Sequence, residues 1–81
     1  MEKEMSFETM DIYLSAFLLL SGQQPTLKVN HGKVIFSFPA SEDLYAVMMN
    51  FNSNVNVPVS DFTTMVKTLR GQMLTMRKTG K

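Results

Sequence analysis

The sequence has no cysteine and one histidine. Neither a disulfide framework nor a thiolate zinc site can be built from it, and a lone histidine makes no metal site without carboxylates. A reducing compartment, the cytoplasm, is the expected location, and no cofactor is expected. A basic segment followed by an apolar one, the mark of a secretory signal, is missing at the N-terminus. The longest apolar stretch, residues 12–20, falls far short of the roughly twenty residues that span a bilayer, so no membrane association is expected. Net charge is scarce too. Eight Lys and Arg against seven Asp and Glu leave +1, so attraction to a polyanion can come only from local clustering. There is no glycine-rich phosphate loop, no G-x-S-x-G and no H-E-x-x-H. Internal repeats, low-complexity blocks and interdomain linkers are likewise missing. The 81 residues therefore read as one domain, small enough that only about 60–65% of the unfolded surface can be buried.

What is present is organised around Asp11-Ile12-Tyr13-Leu14-Ser15-Ala16-Phe17-Leu18-Leu19-Leu20-Ser21-Gly22. As a helix this stretch is apolar nearly all round, so it must be covered on more than one side. Thr9 is placed to cap it, Asp11 suits the first turn, and Gly22 is placed to end it. The residues before it, with Glu2, Lys3, Glu4 and Glu8 around Phe7, read as a solvated tail over 1–6, with Phe7 as its anchor.

Pro25 separates the helix from Thr26–Phe38, which reads as a β-hairpin turning at His31-Gly32. A two-residue loop sets Val29 against Val34 and Leu27 against Phe36 on one face, with Lys28 opposite Ile35 and Asn30 opposite Lys33 on the other. A three-residue loop would mix the faces. Ser41-Glu42-Asp43 then has the form of a helix start, and Leu44, Val47, Met48 and Phe51 give that second helix an apolar face flanked by Tyr45 and Met49. Val55-Asn56-Val57, stopped by Pro58, reads as a short third strand at the hairpin's edge. Ser60-Asp61 opens a third helix whose stripe of Phe62, Met65, Val66, Leu69, Met73 and Met76 runs to about residue 77, leaving 78–81 as a frayed end. The expected fold is α+β, in the order helix, β-hairpin, helix, short strand, helix, with the domain over 7–77.

From Phe7 to Leu74 the chain resembles a family of small uncharacterised bacterial and phage proteins, a domain of unknown function. The resemblance lies in the run from Asp11 to Leu18 ending at Gly22, in Val34-Ile35-Phe36-Ser37-Phe38, and in Val55-Asn56-Val57 leading to Asp61-Phe62 and a C-terminal helix. It implies the fold and brings no activity or site residues with it.

No catalytic constellation emerges, and the chain is expected not to be an enzyme. His31 sits at a hairpin tip with no nucleophile to activate, and Glu42 and Asp43 project about 100° apart on a helix, where the dipole accounts for them. The third helix is more informative. Lys67, Arg70, Arg77 and Lys78, with Lys81 beyond them, share about a third of its circumference beside the apolar stripe, and no acid follows Lys67. That makes a candidate nucleic-acid face, to which Lys28 and Lys33 would add if the hairpin's outer side lay near. A helix-turn-helix is not indicated, because the segment between the second and third helices is longer than its short turn. The eight methionines mostly fall on apolar stripes, where they fill irregular core space. Tyr13, Met49 and Leu74 are left over as candidate interface residues. The leading expectation is a non-enzymatic interaction domain that binds a protein or pairs as a homodimer, and the alternative is a nucleic-acid-binding accessory protein.

Overall fold

With Val34, Phe36 and Phe38 at every second position, Lys33-Val34-Ile35-Phe36-Ser37-Phe38 is built to bury one side of a strand. In the computed structural model, which describes residues 5–53 and 56–79, it becomes the centre of a three-stranded antiparallel sheet. The strands are β1 (Ser6–Thr9), β2 (Thr26–Asn30) and β3 (Lys33–Pro39), in the order β1-β3-β2. Val34, Phe36 and Phe38 are all buried on the inner side. Phe36 lies between Thr9 of β1 and Leu27 of β2, and Phe38 opposite Phe7. The outer side carries Glu8 and Lys28, which form an ion pair across β3.

The hairpin has the expected register at every position from Asn30↔Lys33 to Leu27↔Phe36. Its turn has positive φ at both central residues, 55° at His31 and 79° at Gly32. This is the combination whose twist matches that of paired strands.

The helices are α1 (Ile12–Leu20), α2 (Glu42–Asn52) and α3 (Val59–Thr79). They lie on the inner side of the sheet as one layer, in a molecule 40 × 37 × 16 Å across. Helix α1 touches both α2 and α3, and α3 rests on β2 and β3. Ser15, Ala16, Phe17 and Leu18 are all buried. Four successive helical residues point in four directions, so the middle of α1 is covered on every side. Phe17 meets Phe51 of α2 at 5.3 Å between ring centroids. Ala16, Leu18, Phe36, Phe38, Leu44, Val66 and Leu69 form the continuous core.

Both ends of α1 are closed by local chemistry. Asp11, extended at φ −81° and ψ 107°, caps it, with Oδ1 accepting from the amides of Tyr13 at 2.9 Å and Leu14 at 3.2 Å. Thr9, expected as the cap, instead belongs to β1, and its Oγ1 accepts from the Asp11 amide at 3.0 Å. At the other end Gly22, at φ 99°, donates to the Leu19 carbonyl while Gln23 donates to that of Leu18. These paired bonds stop a helix where only glycine sits without strain. Helix α2 is capped as expected by Ser41, whose Oγ accepts from the Leu44 amide at 3.0 Å.

Two further expectations need correction. The third strand is β1, which runs from the last residue of the tail read over 1–6 to Thr9, and the described part of Val55–Val57 forms no strand. Asn56, Val57 and Pro58 are neither helical nor in a strand, and Val55 lies outside the described residues. Phe7 and Thr9 alternate with exposed Ser6 and Glu8, and this supplies the third row of the sheet on the free edge of β3. Pro58 meanwhile leads directly into α3, its carbonyl accepting from the Phe62 amide at 3.0 Å. The second correction is that α3 continues through Thr79, so Lys78 is helical; Gly80 and Lys81 lie outside the described residues.

Two substitutions test this packing. Phe17→Ala removes a large buried ring that bridges α1 and α2 and should cost about 3–5 kcal/mol, enough to unfold much of a domain this small. An unchanged thermal melting curve would contradict the central position of α1. Ser15→Ala should act in the opposite sense. The Ser15 hydroxyl is fully buried with no hydrogen-bond partner, and an unsatisfied buried group costs about 1–3 kcal/mol. Its removal should raise the melting temperature by several degrees, and a lower melting temperature would show that the hydroxyl is satisfied.

Candidate interaction surfaces

The side chains of α3 divide by angle. Phe62, Met65, Val66, Leu69, Met73 and Met76 point inward and are buried or half-buried. Lys67, Arg70, Arg77 and Lys78 are all exposed on the outer face. At 100° per residue these four span about 100° of the circumference, with Leu74 near the middle of the arc. Leu74 is 57% exposed. The structure thus places one of the expected interface residues inside the basic face. Among the described residues, none of the four cations forms an ion pair. Asp61, the acid of this helix, lies on the far side of it by the same angular count.

Lys28 and Lys33 do not join this face. Both belong to the outer side of the sheet, turned away from the helical layer, and Lys28 is already paired with Glu8. The pleat decides this: once Leu27 and Val29 face the helices, Lys28 must face away.

The other two candidate interface residues stand apart. Met49, 69% exposed, shares the outer face of α2 with exposed Tyr45, one turn earlier. Tyr13, 53% exposed, stacks on Phe62 with ring centroids 6.5 Å apart and planes inclined by 21°. This joins the first turns of α1 and α3. Val59, one turn before Phe62, is 79% exposed, and Met10, just ahead of α1, is also exposed. Tyr13 and Phe62 thus form a partly exposed aromatic pair, with exposed Val59 and Met10 each three residues from it along the chain. From sequence Phe62 is expected as part of the apolar stripe of the third helix, and neither it nor Val59 nor Met10 is among the expected interface residues, because nothing in the spacing shows that α1 and α3 begin side by side.

A third feature is an open groove of about 560 Å³ between β2 and the second half of α3. Leu27, Thr68, Gly71, Gln72, Thr75 and Met76 line it. Thr68, Gly71 and Thr75 follow one another at helical spacing, and a Cβ added at Gly71 would meet nothing within 4 Å. The signal for this groove is a glycine in the middle of a long helix, a position that costs about 1 kcal/mol relative to alanine.

His31 is exposed at the turn, and Glu42 and Asp43 are exposed in the first turn of α2, the places their local roles require. Among the described residues no helix is long and apolar enough to cross a membrane. The chain finds no match among curated proteins and none among solved structures. One family model does match it, over residues 4–75, a span that takes in every element from β1 to most of α3. By that match the chain belongs to DUF5659, a family defined as a domain of unknown function.

Proposed function

We propose that this chain is a non-enzymatic interaction domain that associates with a second copy of itself through the patch centred on Tyr13 and Phe62. The observation that carries this reading is the stacked pair itself, which leaves an aromatic ring half in water, with Val59 and Met10 exposed beside it. An aromatic side chain offers a large rigid contact area at little entropic cost, and tyrosine adds a hydroxyl that stays hydrated at the rim. The patch lies where two helices begin together, so it is presented on a firm support. A two-fold pairing lets the same residues meet their own copies, the commonest arrangement in small homo-oligomers. The domain's size works in the same direction, because burial against a partner adds apolar contact to a short chain.

Sedimentation equilibrium tests the reading. With increasing concentration the apparent mass should rise from 9.2 kDa toward twice that value. Tyr13→Lys should hold it at the monomer value while circular dichroism shows the helix content retained. A mass that stays at 9.2 kDa up to millimolar protein would refute the proposal.

A further inference from the structure

We infer that the outer face of α3 is a second, separate contact surface, one that binds the phosphate backbone of duplex DNA. The argument starts from charge. Over a chain of net charge +1, four cations are gathered on one side of one helix, Lys67, Arg70, Arg77 and Lys78. All are exposed and, among the described residues, none is neutralised by an acid. From Lys67 to Lys78 the ridge runs about 16 Å at 1.5 Å per residue. A duplex carries one phosphate charge per about 1.7 Å of its axis, so a length of DNA matching the ridge presents about ten negative charges to it.

The shape of the ridge selects among polyanions. Single strands are held by stacking bases on aromatic rings, and the outer face here, Thr63, Lys67, Arg70, Leu74, Arg77 and Lys78, has no ring. Insertion into a lipid surface needs a free apolar helix face, but that of α3 is committed to the core through Val66 and Leu69. An acidic protein would be anchored by buried aromatic or apolar contacts, and between Lys67 and Lys78, Leu74 is the single large apolar side chain on this arc. A positively charged helix face remains, on a helix about as wide as the roughly 12 Å major groove. Two arginines and two lysines there contact phosphates without reading sequence, with Leu74 packed against sugar. The ridge begins at Lys67, five residues past Phe62 and eight past Val59, about 7 and 12 Å further along the helix, so it functions in a single protomer and does not require the self-association proposed above.

Fluorescence anisotropy with a 20-base-pair duplex, titrated from 50 to 200 mM salt, provides the test. Four phosphate contacts predict a salt slope of about −3.6 and a loss of affinity of about a hundredfold across that range. Lys67→Gln combined with Arg70→Gln should lower the slope by about 2 and keep the wild-type melting curve, since both side chains are exposed. Lys28→Gln with Lys33→Gln, on the far side of the sheet, should leave binding unaltered. The inference fails if the unmodified protein does not bind the duplex at 50 mM salt, or if the sheet variant weakens binding as much as the ridge variant. It fails equally if single-stranded DNA of the same length, polyglutamate or phosphatidylserine vesicles bind more tightly than the duplex.

Discussion

Phe36 is the point at which the two layers of this domain are tied together. It is fully buried, it lies opposite a residue of β1 on one side and of β2 on the other, and it belongs to the same cluster as Ala16, Leu18, Val66 and Leu69 from the helices. A strand with neighbours on both sides has all of its backbone polar groups available for pairing within the sheet, so it can carry two phenylalanines and a valine inward at no polar cost. Helices α1 and α3 then have a floor to lie on. One layer of helices covers one side of the sheet, and the other side carries the Glu8–Lys28 pair.

Much of this order can be read from local chemistry. The hairpin register follows from the period of two in both strands and from His31-Gly32, because a slip of one residue would turn Val34, Phe36 and Phe38 outward. The caps of α2 and the inward stripe of α3 follow from Ser41 and from apolar spacing. Reading fails where the outcome depends on a distant segment. Ser6–Thr9 is four residues long with a single large apolar side chain, and it becomes a strand only because β3 offers it an edge. That pairing also removes Thr9 from the helix and passes the cap to Asp11, whose carboxylate reaches two amides. Val55-Asn56-Val57 has the better strand composition. It lies in the short link between the end of α2 and the start of α3, where Pro58 already serves the helix.

The same limit applies to the surfaces. The basic face of α3 is visible in sequence because all its members are on one helix, where spacing is geometry. The Tyr13–Phe62 patch is not visible, since it joins residues from two helices whose relative placement comes from the core. The sequence also calls for cover on more than one side of the first helix. In the fold, Ser15 to Leu18 are enclosed by α2, α3 and the sheet, and what stays exposed is the first turn, at Tyr13. An uncovered ring at a helix start is a smaller and more specific feature than an uncovered helix.

The strand order β1-β3-β2 also imposes a sequence of events on the growing chain. β2 and β3 are joined by two residues and can pair within microseconds of being released from the ribosome. β1 is the first strand synthesised, yet its partner is β3, so it must wait while α1, β2 and the turn are made and can dock only once Pro39 has emerged. During that interval the outer edge of β3 is bare and Phe38 lacks its cross-strand neighbour Phe7. The short link Met10–Asp11 keeps β1 within two residues of α1. Once α1 packs on the sheet, the link acts as a tether that leaves the strand only a short distance to search for the edge of β3.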